Sequence, residues 1–511
     1  MLVIVLLSTG ASTMIYEVVL IREFTVTLGS SFYSSAIVLS SVMLGLSIGS
    51  YTFGKLSDRF NPIKILFVLE LAIAILSIFV IPLARKTENL EWEIALITSF
   101  LIPLIPAILM GGEIPAAVRI ASTFRGVGEA SGICYSLDTL GGIFGSLISG
   151  FVLIPMLGSL NTVLIAGALN SVGAIAVLTL NYEFNLRMEM KQVIALILVI
   201  SCLTISILSS ELIEFRTQIE IYEGFYLIDL AQTKYQTIAI AYNPVLGKCL
   251  FLDGSLQISD IGDEPYSESL VLPALVTILL HRKPVDVLVI GGGDLGVVEV
   301  LTRFPREFVK NVTLVELDSK VVEFSKKYLK EIHRDCWRDE RIKIVIKDCR
   351  MFLRDAVRDG RKFDLVIVDL PDPKDDLSAT MYSLEFYDTI YDALSDDGIM
   401  VTQATSADYA LGYNSYAIIA KTLGKSKFKV VRPYIKYVPS FGMWGFVIAS
   451  KRYDPLKLNK SEITSIIRGV EVHTYDADVH YAMFALPPWL KRAIETADVN
   501  TVDKPILQMF T

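Results

Sequence analysis

Cysteine, histidine and excess positive charge are all scarce in this sequence of 511 residues. The four histidines are scattered, and the formal net charge is −8. The five cysteines show no paired spacing, which excludes a disulfide framework and a CxxC metal site, so no metal is expected. An acidic balance argues against nucleic-acid binding, which depends on Lys and Arg that neutralise phosphates. The cysteines are Cys134, Cys202, Cys249, Cys336 and Cys349.

Charged residues are also nearly absent from the first 210 or so positions, which are almost entirely apolar. About 20 apolar residues cross a bilayer as a helix. The N-terminal run MLVIVLLSTG lacks the basic start of a signal peptide and is interpreted as the first span. Residues 1–212 are therefore predicted to form a transmembrane bundle of about seven helices in a lipid bilayer. The predicted spans are 2–22, 32–54, 63–83, 94–116, 130–156, 160–180 and 192–209.

Small and acidic residues interrupt these spans. Stretches such as GGIFG and GSLISG favour close helix packing. Glu17, Glu113 and Asp138 lie within or at the ends of spans, where an ionisable residue marks a candidate functional site. Pairing with a neighbour, such as Glu17 with Arg22, is the simpler interpretation.

The distribution of basic residues gives conflicting expectations about topology. The breaks after spans two, four and six are richer in Lys and Arg than those after spans one, three and five. The positive-inside rule then places the N-terminus inside, and seven spans place the C-terminal part outside. The adenosine-containing ligand expected for the C-terminal part is a cytosolic metabolite, which instead predicts a cytoplasmic catalytic domain. An N-terminus inside, seven spans and a cytoplasmic catalytic domain cannot all be correct.

The remaining 300 residues have the pattern of a soluble enzyme. Residues 213–262 contain TQIEIYEGFYLIDL, YQTIAIAYN and KCLFLDGSLQI, which predict a small antiparallel β domain with a turn at Asn243-Pro244. Strands alternate with helices over 263–450, which predicts a doubly wound, Rossmann-like α/β domain with a parallel sheet. Residues 451–511 are expected to form a tail of helices and loops.

A glycine loop, IGGGDLG, follows the strand VDVLVI. Gly291, Gly293 and Gly296 satisfy the pattern G-x-G-x-x-G, which permits close approach of the backbone to a ligand. Glu316 stands twenty residues further on, at the end of the next strand, where a carboxylate accepts hydrogen bonds from ribose hydroxyls. The pair predicts an adenosine-containing ligand without choosing among NAD and other adenosyl compounds.

Further acids follow the other strands of this domain. Asp348 comes just after the third strand, and Asp369 and Asp372 follow the fourth in IVDLPDP. The carboxyl ends of parallel strands form the binding crevice of open α/β sheets. With Asp294 and Glu316, five acids are expected to converge there. A pyrophosphate site does not collect carboxylates, so the pattern favours a cationic ligand over NAD.

The order of these motifs resembles the spermidine synthase family of polyamine aminopropyltransferases. The resemblance runs from about residue 235 to 450, and the apolar region resembles the membrane-anchored, multi-span branch through IYEVVLIRE and LGLSIGSYTFGKLSDR. VPSFGMWGF and the tail VNTVDKPIL are similar to that branch too. The soluble motifs are YQTIAI, LFLDGSLQ, DEPYSE, GGGDLG, VELD and DLPDP.

The resemblance implies a reaction and a role for each site residue. Decarboxylated S-adenosylmethionine would be the co-substrate, with no permanently bound cofactor, and a diamine such as putrescine would accept its aminopropyl group. Asp369 would take the proton of the amine, and Asp372 with Tyr266 would orient that amine. The donor would be held by six residues, which are Asp294 at its ammonium group, Gln236 and Gln257 at the nucleoside, Glu316 at the ribose, and Asp348 with Cys349 at the adenine. Soluble relatives are often oligomers, so a homodimer is one expectation.

Departures from the family pattern leave the acceptor open. Leu295 replaces a family glycine, Ser267 follows the tyrosine where Gln or His is common, and Val438 occupies the position of a late family tyrosine. The loop after DLPDP also differs. Longer, aromatic or membrane-associated amines therefore stay open, as do two other functions. One is methyl transfer from intact S-adenosylmethionine, and the other is a membrane transporter or sensor with a polyamine-binding domain.

Overall fold

Two units make up the chain, Met1–Glu223 and Gly224–Thr511. The computed structural model describes residues 1–28, 31–87, 90–183, 190–210, 212, 222, 224–373 and 376–505. The first unit contains long apolar helices, and the second contains two β-sheets with helices around them.

The helices of the first unit follow one another with short breaks. Among the described residues, six helical segments are long and apolar enough to cross a membrane. The predicted fifth and sixth spans fall within one of them, Val127–Leu180, so the helix count does not confirm seven spans. The helices are α1 (Leu2–Leu28), α2 (Ser31–Arg59), α3 (Pro62–Lys86), α4 (Trp92–Gly111), α5 (Glu113–Ala121), α6 (Val127–Ile148), a π-helical turn (Ser149–Leu153), α7 (Ile154–Glu183) and α8 (Met190–Leu208).

The segment Val127–Leu180 doubles back on itself. Its backbone leaves the helical region at Gly158, with φ 76° and ψ 174°. Cys134, near its start, and Leu180, at its end, both line a cleft of about 520 Å³ beside Met1. A straight helix of 54 residues would hold its ends about 80 Å apart. Helices α6 and α7 therefore run in opposite directions.

Small residues bring the helices of this unit into close contact, as the sequence predicts. A Cβ atom on Gly145 of α6 would lie 2.3 Å from the carbonyl oxygen of Ala11 in α1. A Cβ on Gly49 of α2 would lie 2.0 Å from the carbonyl oxygen of Ile108 in α4. Larger side chains at either glycine would push these helices apart.

A four-stranded antiparallel sheet opens the second unit. The predicted strand TQIEIYEGFYLIDL begins in residues outside the described part of the chain, and the described strand starts at Tyr226. The predicted strand KCLFLDGSLQI is two strands, because Asp253 and Gly254 adopt positive φ values of 45° and 75° and form a tight hairpin turn. The strands are β1 (Tyr226–Gln232), β2 (Thr237–Asn243), β3 (Gly247–Leu252) and β4 (Ser255–Ser259), in that spatial order.

The larger sheet has seven strands in the order β10-β11-β9-β8-β5-β6-β7. Strands β5 to β9 are parallel, whereas β11 pairs antiparallel with both β9 and β10. The sheet is therefore mixed rather than wholly parallel, since the short turn between β10 and β11 leaves no room for a crossover helix. The strands are β5 (Val285–Gly291), β6 (Val309–Glu316), β7 (Ile342–Ile346), β8 (Phe363–Asp369), β9 (Leu394–Ser406), β10 (Val430–Val438) and β11 (Gly442–Ser450).

Helices cover both faces of this sheet and bury two apolar cores. The small sheet packs separately against α11 and α12 through residues such as Ile240 and Phe324. That contact fixes β2 beside the carboxyl end of β6. The helices are α9 (Asp263–Leu279), α10 (Gly296–Thr302), α11 (Ser319–Tyr328), α12 (Lys330–His333), α13 (Cys349–Arg358), α14 (Asp376–Thr380), α15 (Leu384–Ala393), α16 (Asn414–Lys425), α17 (Lys460–Ile467), α18 (Ala477–Met483) and α19 (Pro488–Thr496).

Candidate active site

The glycine loop joins the central strand β5 to α10 at the carboxyl edge of the larger sheet. Gly291 and Gly292 have φ values of 78° and 66°, and Leu295 has a φ of 74°. A Cβ on Gly291 would lie 2.0 Å from the carbonyl oxygen of Asp369, so only glycine lets β5 and β8 end this close together. Leu295 keeps the left-handed backbone that a glycine adopts more easily, and its side chain is fully buried.

Glu316 ends β6 and faces the same loop. Its Oε1 accepts a hydrogen bond from the backbone N–H of Asp318 at 3.0 Å. A Cβ on Gly293 would lie 2.8 Å from Oε2, so the loop backbone lies directly against this carboxyl group. Burial raises the pKa of Glu316 to about 7.

Asp294 occupies the middle of the loop, where its Oδ1 accepts a hydrogen bond from the N–H of Gly296 at 2.8 Å. Burial raises the pKa of Asp294. A second acid lies close by that the sequence did not single out. A Cβ on Gly296 would lie 2.4 Å from Oδ1 of Asp263, the first residue of α9. Asp263 is buried, accepts a hydrogen bond from Ser267 at 2.8 Å, and has a pKa that burial raises to about 8.

Asp369 ends β8 and makes one close side-chain contact. The hydroxyl of Tyr266 donates to its Oδ1 at 2.6 Å. Within the described part of the chain, Oδ2 has no hydrogen-bond partner, and a Cβ on Gly292 would lie 3.1 Å from it. Burial, and then the charge of Asp294, hold the pKa of Asp369 well above the usual range of an aspartate.

Asp372 lies three residues beyond, in a turn held by two buried polar side chains. Nε2 of Gln403 donates to the carbonyl of Leu370 at 2.6 Å and lies 3.4 Å from Oδ1 of Asp372. The hydroxyl of Tyr382 donates to the carbonyls of Leu370 and Pro371 at 2.9 and 3.0 Å. The sequence analysis missed both residues, although Gln403 lies in strand β9, which ends at the same edge of the sheet.

Gln236 reaches the site through an intermediate acid. Its Nε2 lies 3.5 Å from Oδ2 of Asp318, which also accepts a hydrogen bond from Thr233 at 2.6 Å. Because Asp318 in turn donates its N–H to Glu316, the small sheet is linked to the end of β6. Gln257 on β4 is half-buried and donates to the carbonyl of Ser255 at 3.0 Å. No described contact joins Gln257 to the acids of the loop.

Asp348 follows β7 and caps the helix that begins at Cys349. Its Oδ1 accepts from the N–H of Arg350 at 2.8 Å, and its Oδ2 pairs with the guanidinium of Arg350 at 2.9 Å. These bonds hold the pKa of Asp348 below its usual range. Cys349 is buried, with its Sγ 3.7 Å from the sulfur of Met381, and burial raises its pKa to about 12. Both residues thus have structural partners of their own.

Four acids are therefore close neighbours at the centre of the sheet edge, namely Asp263, Asp294, Glu316 and Asp369. Burial raises the pKa of each of these acids, and the charge of Asp294 raises the pKa values of Asp263, Glu316 and Asp369 further. Buried carboxyl groups with raised pKa values gain most from a ligand that brings positive charge. The arrangement suits a cation that lies against the glycine loop and can lose a proton to Asp369.

Comparison with known proteins finds a matching family and several relatives of this chain. Residues 265–460 match the family described as the spermine/spermidine synthase domain. The chain is 30% identical over 509 residues to "Polyamine aminopropyltransferase 2" of Aquifex aeolicus, which covers 98% of this chain and 96% of that protein. It is 40% identical over 281 residues to "Polyamine aminopropyltransferase 2" of Hyperthermus butylicus, covering 54% of this chain and 88% of that protein.

Two solved structures are also similar to part of the chain. One is spermidine synthase from Thermotoga maritima, and the other is spermidine synthase in complex with the transition-state analogue AdoDATO. Each is 30% identical, covers 53% of this chain and 87% of the solved chain, and has a TM-score of 0.46.

Proposed function

This chain belongs to the spermine/spermidine synthase family of polyamine aminopropyltransferases, and we propose that it moves the aminopropyl group of decarboxylated S-adenosylmethionine onto a diamine such as putrescine. The products would be methylthioadenosine and spermidine. The observation that carries the proposal is the buried carboxyl group of Asp369, with one oxygen bound by Tyr266 and the other oxygen directed at the glycine loop.

The reaction forms a carbon–nitrogen bond and breaks a carbon–sulfur bond. The amine nitrogen attacks the methylene carbon attached to the sulfonium, and the bonding pair leaves with sulfur, so methylthioadenosine departs neutral and needs no general acid. An alkylamine titrates near 10 and arrives protonated at neutral pH. In the proposal, Oδ2 of Asp369 accepts the proton, a contribution of roughly 10²–10⁴-fold. Holding nitrogen and carbon in line contributes about 7–11 kcal/mol more.

Donor binding is assigned to the glycine loop and the strands beside it. Asp294 would face the ammonium group of the aminopropyl chain, and Glu316 the ribose hydroxyls. Gln236 and Gln257 would approach the nucleoside from the small sheet. Asp348 and Cys349 would border the adenine, since a carboxylate that caps a helix and pairs with arginine keeps acceptor positions for an amino group.

Acceptor binding is assigned to the turn after β8. Asp372 would bind and orient the reacting amine of the diamine, and Tyr266 holds Asp369 beside it. Gln403 supports this turn at the carbonyl of Leu370. Putrescine is the diamine proposed.

Methyl transfer is the competing chemistry, and the acids at the centre of the site argue against it. Intact S-adenosylmethionine carries a carboxylate that Asp294 and its acidic neighbours would repel. Incubation of the purified full chain with putrescine and either donor distinguishes the two reactions by mass spectrometry. The proposal expects spermidine from the decarboxylated donor and no methylated amine from the intact one. Methylated product without aminopropylated product would refute it.

A further part of the proposal is that the chain is an integral protein of the cell membrane, with the catalytic domain of residues 263–450 in the cytoplasm. Support comes from the apolar helices and from the reversal at Gly158, which allows α6 and α7 to cross separately and gives seven crossings. An odd number of crossings then places the N-terminus outside, against the bias of the basic residues. Labelling of intact cells by an impermeant maleimide tests it, since a cysteine at exposed Asp359 should be protected and one at Lys64 should react.

The division of the soluble part at residues 262/263 and 450/451 stays a prediction, as does a homodimer. The proposed dimer would give twice the 56.7 kDa mass of one chain in light scattering of the detergent-solubilised protein. A single-chain mass would refute it.

A further inference from the structure

The C-terminal segment 499–505 belongs to the motif VNTVDKPIL, which the proposed reaction leaves without a role. It follows α19, and its second residue, Asn500, is only 2% exposed. Burying an amide side chain is costly unless hydrogen bonds with the protein replace those it makes with water. The groups that Asn500 binds therefore show what this segment holds in place.

Asn500 joins three parts of the second unit. Its backbone N–H donates to Oγ1 of Thr422 on α16 at 2.9 Å. Its backbone carbonyl accepts a hydrogen bond from the N–H of Leu384, the first residue of α15, at 2.9 Å. Its side-chain Nδ2 donates to the backbone carbonyl of Ala379 at 2.7 Å. The last two contacts hold the α14–α15 segment (residues 376–384), which follows β8 in the chain.

Tyr382 links the α14–α15 segment to the turn that presents Asp372. Its hydroxyl lies 2.9 and 3.0 Å from the carbonyl oxygens of the two residues before Asp372, and Tyr382 is only 1% exposed. The backbone N–H of Tyr382 donates to the carbonyl of Ala379 at 3.1 Å, the same carbonyl that Asn500 binds. A continuous path of hydrogen bonds thus leads from the C-terminal segment to the turn that presents Asp372.

The α14–α15 segment has a much weaker contact with the donor side of the site. Sδ of Met381 lies 3.7 Å from Sγ of Cys349, which is assigned to the adenine, and sulfur atoms form only weak hydrogen bonds. Tyr382, by contrast, binds backbone carbonyls in a buried region, where a missing hydrogen bond is costly. A change at Asn500 should therefore affect the acceptor side more than the donor side.

We propose that Asn500 is a positioning residue for the acceptor amine, and that it acts through Ala379 and Tyr382 on the turn that presents Asp372. Without the donor at Nδ2, the buried carbonyl of Ala379 loses a partner, and the α14–α15 segment can shift. A misplacement of about 1 Å caused by a distant substitution can cost an enzyme about a hundred-fold in rate. The hydrogen bonds are properties of the fold, whereas their effect on an amine rests on the proposed function.

Asn500→Asp tests this on the full chain in detergent, because it exchanges one donor for an oxygen of similar size and keeps the backbone contacts. The KM for putrescine should rise about ten-fold, as for a buried carbonyl that loses a hydrogen bond, with the KM for the decarboxylated donor nearly unchanged. Asp503→Asn, exposed in the same segment, is the matched control. An unchanged KM for putrescine in Asn500→Asp, or an equal rise in both KM values, overturns the proposal.

A loss of stability alone is separated from this effect by a second variant. Glu268→Gln should lower the midpoint temperature of unfolding and leave the KM for putrescine unchanged. An equal rise of that KM in Glu268→Gln and in Asn500→Asp would assign the effect to stability and overturn the proposal.

The route through Tyr382 has its own test. Tyr382→Phe removes only the hydroxyl and should by itself raise the KM for putrescine, whether or not Asn500→Asp folds. Combined with Asn500→Asp, it should raise that KM no further than the larger single effect, because both changes act on one path. Single effects that multiply in the double variant, or an unchanged KM in Tyr382→Phe, overturn the proposal.

Amide hydrogen exchange gives a measurement that needs no turnover. In Asn500→Asp, exchange should become faster in the α14–α15 segment and also in the peptide that contains Asp372, whereas Asp503→Asn should exchange like the wild-type chain. Faster exchange in the α14–α15 segment alone overturns the link to Asp372. Linked exchange in a wild-type chain that transfers no aminopropyl group supports the positioning path and overturns only the proposed function.

Discussion

Tyr266 donates a hydrogen bond to Oδ1 of Asp369 at 2.6 Å, from a helix that starts more than a hundred residues earlier in the chain. The bond fixes the carboxyl group at the end of β8 and leaves Oδ2 towards the glycine loop. The ring of Tyr266 packs against Phe441 and Phe446 at centroid distances of 6.0 and 5.6 Å, so its hydroxyl has little freedom to turn away. This pair is the centre of the proposed chemistry.

Removing that hydroxyl should slow the reaction and shift its pH dependence. Tyr266→Phe removes a donor that favours the charged form of Asp369, so the pKa of Asp369 should rise further. We expect kcat to fall about ten-fold or more, as for loss of a hydrogen bond to a charged group, and the acidic limb of the pH–rate profile to move upward. Tyr226→Phe, at an exposed position on β1, is the matched control. An unchanged profile in Tyr266→Phe would contradict this role.

Acceptor binding can be separated from proton transfer at Asp372. Asp372→Asn keeps the size of the side chain and removes the charge that would bind and orient the amine of the diamine. Steady-state kinetics should show a KM for putrescine raised about ten-fold or more, as for loss of a hydrogen bond to a charged group, with a smaller change in kcat. A fall in kcat alone would instead assign Asp372 to the chemical step.

The raised pKa values of the central acids predict a stability that falls as pH rises. Burial raises the pKa of Asp263 to about 8 and that of Glu316 to about 7, whereas both groups have a pKa of about 4 in an unfolded chain. Between those limits the folded state binds more protons than the unfolded state, so each increase in pH favours unfolding. Thermal unfolding of the full chain in detergent should show this dependence between about pH 4 and 7 weakened in Glu316→Gln. An identical dependence in both proteins would contradict it.

A polyamine or the decarboxylated donor should counteract this fall in stability with rising pH. The ligand supplies positive charge to the four acids, so its stabilising effect should grow from pH 6 to pH 8.5 as the groups ionise. The midpoint temperature of unfolding measures it, with sodium chloride at equal ionic strength as the control. A ligand effect that shrinks over this range would argue against a cation at these carboxyl groups.

Substitution of Glu268 should lower the stability of the fold without acting on the reaction itself. It is fully buried and accepts hydrogen bonds from Arg303 at 2.8 Å and from the backbone of His473 and Thr474 at 2.9 and 2.7 Å. Glu268→Gln breaks this ion pair and should lower the free energy of unfolding by about 3–5 kcal/mol. Glu323→Gln, on the exposed face of α11, should change little in the same denaturation experiment.

The acids at the ends of β5, β6 and β8 could be predicted from sequence because parallel strands end at one edge. Asp263 could not be predicted in this way, since it reaches the loop only through the packing of α9 against α10. The sequence also offered no reason to assign different roles to the residues of the motif DEPYSE. In the structure, Tyr266 contacts Asp369 in the site, whereas Glu268 binds the backbone of the C-terminal tail at His473 and Thr474.

Two other features, the capping role of Asp348 and the buried Glu70, had only a weak or overlooked signal in the sequence. Asp348 follows its strand as predicted, but its role as the cap of α13 depends on local backbone geometry. Glu70 stands alone among apolar residues in the third span, and the rule for acids at membrane depth would have found it. Its partner Asn170 is one hundred residues away, so only the folded bundle shows the contact.

Amine-dependent release of methylthioadenosine tests the central role of Asp369 most directly. The wild-type chain and Asp369→Asn would be incubated with decarboxylated S-adenosylmethionine and putrescine, with Asp396→Asn, exposed at the opposite end of β9, as the control. The proposal predicts release that requires putrescine, continues in the control, and falls about 10²–10⁴-fold in Asp369→Asn. Release at the wild-type rate in Asp369→Asn would contradict it.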